Sequence, residues 1–363
     1  MPPTWETYHG APSLDGASSV SLPNTLTRIW RYDSGAPVSN TPVVGNDRVC
    51  LADKKGVLHG LDLNGKAVWS KPFSYPAAQG KPQTPVEFEA PLALFESTLI
   101  ACAASGVIYA INATDGELRW ECNTDYPILG TPNFATVRTD GETQKRLFVI
   151  DQSEGALQCL DFASGKRVWR GEGVARCDGS AAVSDAFAVY GSCAGALHVF
   201  STVTGNMLRE IPLDEDSQVA GGAVLLGEHA FSSSRSGKFV HVNVQTGTTL
   251  WVNANCDAEA FSTPAVGPDR VVFTANDGVV YALDRQTGDL KWRQKLGDTP
   301  SSPVIAGDKV LVSAGGTLYM LKLLDGEKLW SYAVSDEITS PALAGSLVVV
   351  GADDGSVAAF GGG

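Results

Sequence analysis

Apolar and polar positions alternate along this chain in short runs separated by glycine-containing turns. Residues 277–292, DGVVYALDRQTGDLKW, show the unit: a turn at Asn276-Asp277-Gly278, an alternating run, a second turn at Gln286-Thr287-Gly288, and a run ending on Trp292. A period of two between such turns predicts short antiparallel strands joined by hairpins. A Ser/Thr-Pro step, another apolar run and a further Asp/Gly turn follow, so the repeating unit is one four-stranded sheet.

The second turn sets the count. Gly65, Gly116, Gly165, Gly247, Gly288 and Gly326 each precede a tryptophan by four residues: Trp69, Trp120, Trp169, Trp251, Trp292 and Trp330. In a seventh copy Gly205 stands four before Arg209. A period of about forty to fifty residues means a solenoid or a propeller. Trp30 lies on a strand with no copy before it, and the chain ends at GSVAAFGGG, where a Trp strand is due. The two incomplete ends make one blade. The expected fold is therefore all-β, an eight-bladed β-propeller of four-stranded antiparallel blades, closed by pairing the Trp30 strand with residues 355–360, because closure removes exposed sheet edges. It is one domain, 1–363, in which 27–363 form the blades and 1–26 form a strap expected on the outside of the ring, anchored by Trp5. The proline-rich insertion after Trp69 and the insertion at 136–146 are expected on opposite faces. The repeated tryptophan is expected to wedge between neighbouring blades, each ring burying ~150–250 Å².

A formal charge of −13 disfavours nucleic acid and anionic membranes as partners and favours cations or basic protein segments. No apolar run is long enough to span a membrane, so no membrane insertion is expected, and the start MPPTWETYHG has no signal-peptide pattern. The expected home is the periplasm or cell envelope if a leader was removed, with the cytoplasm as the alternative. The chain is expected to be a monomer. Seven cysteines carry no CxxC pair and no zinc spacing, so no metal is expected. Cys177 and Cys193 flank a tight turn at Ser184-Asp185 and read either as a cross-strand disulfide or as two buried small hydrophobes. His59 and His198 fill the slot held by Tyr109, Tyr281 and Tyr319 in other copies and read as core substitutions. There is no GxSxG elbow, HExxH or phosphate-binding loop, and no catalytic residue is assigned.

The units DGVVYALDRQTGDLKW and SGVIYAINATDGELRW resemble the repeats of the pyrroloquinoline-quinone (PQQ) type eight-bladed propellers, and the resemblance covers nearly the whole chain. It implies the fold. The family includes quinoprotein alcohol dehydrogenases, which hold PQQ and Ca²⁺ in the central channel, and a cofactor-free scaffold lipoprotein of outer-membrane β-barrel assembly, similar in length and repeat count. The dehydrogenases carry a vicinal Cys-Cys pair, and no two cysteines are adjacent here. The expectation is thus a non-catalytic scaffold or ligand-binding propeller with no cofactor and a protein partner; a PQQ-dependent oxidoreductase is the alternative.

A binding position follows from the alternation of strand side chains. Residues two and four before the Pro slot of each blade are expected to share a face lining the channel mouth. Candidate binding residues there are Asn40, Glu87, Glu89, Gln218, Ser262 and Glu337, with acid concentrated at the three glutamates. The occupant expected is a cation or a basic segment of a partner; the alternative is that these are solvated loop ends.

Overall fold

The computed structural model describes all residues except 1–3, 76–82, 140, 214–217, 220 and 363. Eight sheets form the blades, spanning 43–72, 93–123, 133–170, 182–212, 224–253, 265–295, 304–333, and, for the eighth, 342–361 with 27–33. Each is a four-stranded antiparallel meander whose first strand is innermost. Innermost strands of neighbouring blades contact one another around the channel, as Val43–Gly45 does with Ala342–Ala344 and Ala93–Phe95.

The ring closes as the sequence requires. Thr27–Asp33 pairs antiparallel with Ser356–Gly361, Trp30 opposite Ala359, and so supplies the outermost strand of the eighth blade. The core lies between blades; Phe231, Phe239, Phe273 and Tyr281 fill one such junction between the fifth and sixth.

The Gly-x-x-x-Trp spacing has a physical cause that spans two blades. Six of the seven wedge tryptophans lie on the turn glycine of the next blade and donate the indole N–H to a carbonyl of that turn: Trp30 to Leu63, Trp69 to Ala113, Trp120 to Phe162, Trp169 to Val203, Trp251 to Arg285 and Trp292 to Leu323, at 2.8–3.2 Å. Glycine is needed there twice over. At Gly65 φ is +79° and a Cβ would lie 2.4 Å from Trp30 Cδ2. Arg209 takes the wedge position of the fourth blade, donating from Nη2 to Gln245 O at 2.9 Å, and a Cβ on Gly247 would meet only this flexible side chain, with Cδ at 3.2 Å and Nε at 3.7 Å. Gly65→Ala is therefore expected to cost about 1–3 kcal/mol more than Gly247→Ala, since both share the backbone strain but only the first is overpacked. Urea unfolding of the two variants measures this, and equal losses would remove the wedge explanation.

Long hairpins and loops divide between the two faces. Asn133–Thr139 and Glu142–Ile150 form an extended hairpin at the end of the ring where first and second strands turn. The insertion after Trp69 leaves from the other end: Phe73 N–H bonds Gly56 O at 2.8 Å, and Tyr75 N–H bonds Thr84 O at 2.8 Å. Its centre, 76–82, lies outside the described residues.

Candidate functional site

The channel is not open from both ends, because the N-terminal segment lies inside it. Trp5 exchanges two main-chain bonds with Val44 of the first blade at 2.6 and 2.8 Å, and Glu6 O accepts from Leu94 of the second at 2.7 Å. Pro12 O accepts from the Asn133 side chain of the third blade, at 2.8 Å, and from Val183 N–H of the fourth, at 2.9 Å. Ser13, Asp15 and Gly16 then accept from Leu225, Val266 and Ile305 of the next three blades at 3.0, 2.7 and 2.8 Å. Ala17–Ser18 completes the circuit as a parallel strand beside Val304–Ala306.

The expected outside strap is thus an internal plug. The reason is hydrogen-bond supply: an innermost strand pairs along one edge within its blade, and its channel-facing N–H groups need acceptors. The plug carbonyls provide them. Its side chains fill the space, with Trp5 3% exposed and Thr7, His9 and Leu14 fully buried. His9 lies between two carbonyls, Nδ1 2.8 Å from Leu14 O and Nε2 2.9 Å from Pro303 O, and burial pushes its imidazole below the ordinary value. Gly16 is forced by this fit, since a Cβ would lie 2.1 Å from His9 Cε1. The Tyr8 hydroxyl hydrogen-bonds the Thr263 hydroxyl, two residues ahead of the innermost strand of the sixth blade. Composition alone does not reveal the plug, although the tight WETYHGAPSLDG run of turns and aromatics is its signal.

The opposite mouth is built by the segments that lead into the innermost strands. In seven blades the loop between second and third strands donates a main-chain N–H to one lead-in carbonyl: Lys54 to Pro37, Ala104 to Glu87, Gln152 to Pro127, Cys193 to Arg176, Arg235 to Gln218, Asn276 to Glu259 and Asp353 to Glu337, at 2.8–3.1 Å. Glu87, Gln218 and Glu337 therefore occupy equivalent exposed positions. Glu259 belongs with them and is missed by counting back from proline, because it stands five before Pro264 whereas Glu337 stands four before Pro341.

The same slippage separates the other candidates. Asn40 is buried and donates from Nδ2 to Phe88 O at 2.7 Å and Ala90 O at 3.2 Å, tying the first blade to the second. Ser262 is buried and donates to Thr274 O at 3.0 Å. Glu89 is exposed between buried Phe88 and Ala90, so it faces away from the Asn40 level. The expected common face is corrected accordingly: Glu87, Glu89, Gln218 and Glu337 are solvent-facing, while Asn40 and Ser262 are structural ties.

Two clefts open beside Glu337. One, of about 690 Å³, lies between the seventh and eighth blades and is lined by Asp298, Ser301, Asp336 and Glu337. A smaller one, of about 120 Å³, is lined by Ser39, Lys54, Glu337 and Asp353. Hydrogen bonds from the Ser335 hydroxyl and the Glu337 N–H hold the Asp353 carboxyl below the usual carboxylate range. Arg176, the basic member of the lead-in ring, is already paired with Asp178 at 3.0 Å. The mouth is thus acidic on the side of the second and the sixth to eighth blades.

His59 and His198 are buried within the blade strands. His59 is 2% exposed and bonds Asp53 Oδ2 through Nε2 at 3.1 Å, while Nδ1 faces the Ser70 hydroxyl at 3.0 Å and the Tyr32 hydroxyl at 3.1 Å. This Asp-His-Ser chain is the repeat's own strut, since Tyr281 in the same slot donates to Asp277 at 2.7 Å and His198 bonds Ser192 at 2.8 Å. His241 is a third histidine in that slot, 2.8 Å from His229, which sequence reasoning passed over. All seven cysteines are free thiols. The Cys177 thiol turns to Gly191 O at 3.1 Å rather than to Cys193, and burial pushes it up to about 12.

A quinone does not fit this channel. His9 and Leu14 are fully buried in its interior with Tyr8 packed partly buried beside them, no adjacent cysteines are present, and no group of three or more His, Cys, Asp or Glu side chains suited to a metal occurs among the described residues.

The family described as outer membrane protein assembly factor BamB matches residues 22–207 and 215–362, a stretch that begins just after the plug. BamB of Burkholderia pseudomallei is 40% identical over 302 residues, covering 79% of this chain and 74% of that protein. Among solved structures, BamB from Moraxella catarrhalis aligns with a TM-score of 0.75 at 19% identity, covering 93% of this chain and 98% of that one. Quinohemoprotein alcohol dehydrogenase from Comamonas testosteroni aligns with a TM-score of 0.74 at 13% identity, covering 99% and 80%; that likeness concerns the fold.

Proposed function

The chain belongs to the outer membrane protein assembly factor BamB family, and from that membership we propose that it is a non-catalytic scaffold of outer-membrane protein assembly, working as a monomer in the cell envelope. Its partner is a protein, and the mouth opposite the plug receives a basic segment of it. The single observation that supports this is the exposed acidic arc of Glu87, Glu89, Glu259, Asp298, Asp336 and Glu337. These carboxylates sit on rigid blade ends, so their fields add across a narrow mouth and steer a positive segment to it. The dehydrogenase alternative is disfavoured by the plug, which fills the space a quinone would need.

Replacing Glu87, Glu89 and Glu337 by Gln tests the reading. With a fluorescently labelled lysine-rich peptide as probe, the triple variant is expected to bind about tenfold more weakly and with a flatter salt dependence, three exposed charges being removed. Its melting temperature is expected to stay near that of the parent. Unaltered affinity at low salt would exclude the mouth as the site.

A further inference from the structure

The position after the wedge residue is charged in five blades, Arg31, Glu121, Arg170, Glu210 and Arg293, and serine in two, Ser70 and Ser331. In the fifth blade it is Val252, 53% exposed. Leu250, on the other side of Trp251, is 46% exposed. Both lie on the outermost strand Thr248–Asn253, TTLWVN, which carries no charge, whereas each of the other seven outermost strands carries at least one. The charge-free stretch runs from 239 to 256.

Sheet edges are guarded by bulges and by charge, because a charged side chain resists the desolvation that strand pairing demands. Every outermost strand here has a bulge just before the wedge position, so the bulge does not set the fifth blade apart. Missing charge does. Threonine, leucine, tryptophan and valine also suit an added strand, and the outer edge of this strand bonds to no other backbone segment among the described residues.

We propose that the outermost strand of the fifth blade is a docking edge for an extended, uncharged segment of a partner polypeptide, which adds to the sheet as a fifth strand. Main-chain bonds would hold the segment, and its alternate apolar side chains would rest on Leu250 and Val252. A second copy of this chain is the poorer occupant. Six residues at about 3.4 Å each make a seam of about 20 Å, and two convex rims meeting along it bury far less than the roughly 1,000 Å² of a stable association. An extended segment is not limited in this way, since it wraps both faces of the edge. The site lies on the outer rim, apart from the acidic mouth, and does not rest on the mouth's role.

The test uses the full chain and a labelled octapeptide of alternating Val and Thr, flanked by Ser-Gly so that it carries no charge for the mouth to attract. Saturable binding in fluorescence anisotropy is expected, at least tenfold weaker for Val252→Arg and weaker for Val252→Ser. Five sibling blades carry a charge at this position, so Val252→Arg is expected to melt with the parent. The same peptide with proline at alternate positions is expected not to bind, having lost its donors. Equal affinity for Val252→Arg, or for the proline peptide, overturns the proposal. So does a concentration-dependent dimer in sedimentation that Val252→Arg abolishes, which would give the edge to a second copy.

Discussion

Removal of residues 355–363 is expected to abolish cooperative folding. Ser356–Gly361 is a central strand of the eighth blade, paired on one side with Leu347–Gly351 and on the other with Thr27–Asp33. Its loss detaches the Trp30 strand, leaves Leu347–Gly351 as a bare edge, and empties positions held by Val357, Ala358, Ala359 and Phe360, all essentially buried. Burial of Phe360 alone is worth about 1.5–3 kcal/mol, and the lost ladder adds about 0.5–1.5 kcal/mol per bond. That sum is comparable with the whole stability of an ordinary domain, about 5–15 kcal/mol. The truncated chain is expected to aggregate or to melt without a sharp transition in calorimetry. Ala358→Pro, which removes one buried ladder donor, is expected to be folded but clearly destabilised. An unchanged melting temperature in either variant would show that the ring is held by something other than its joined ends.

Starting the chain at residue 21 is expected to lower the melting temperature on the order of 10 °C while leaving the ring closed. The plug contributes burial of Trp5 and Leu14, worth about 1.5–3 kcal/mol or more each, and main-chain acceptors for Val44, Leu94, Val183, Leu225, Val266 and Ile305. Those donors return to water in the channel, so the loss per bond is modest, and the deletion is therefore survivable where removal of 355–363 is not. A synthetic peptide of residues 1–20 added in trans is expected to raise the melting temperature in a concentration-dependent way, because it binds the folded ring alone. Trp5→Ala in the full chain gives an intermediate loss. If the shortened chain melts with the parent, or the peptide has no effect, the segment is not a structural plug.

The blade count, the meander within each blade and the closure by chain ends were legible in the sequence, because each depends on local pattern: a period of two, glycine where φ is positive, and two incomplete ends that complement each other. The wedge spacing of Gly65 and Trp69 was visible as a pattern. Its cause was not, since Trp69 packs on Gly116 of the next blade and Gly65 carries Trp30 of the previous one. Glu87, Gln218 and Glu337 were found because strand alternation predicts exposure. Glu259 was missed, and Asn40 and Ser262 were misread, because one extra or missing residue in a lead-in segment exchanges the two faces of a strand.

Sequence by itself determined the all-β ring of eight blades, its closure, the acidity of the chain and the uncharged run from 239 to 256. Only the tertiary structure decided that residues 4–20 run inside the channel rather than around it, and which glutamates stand at equivalent points of the mouth. The difference is physical. Repeated local patterns fix what each segment does with its own neighbours, but the plug is held by donors drawn from seven blades spread over the whole chain, and no local pattern records where the unpaired N–H groups of so many distant strands come to face one space.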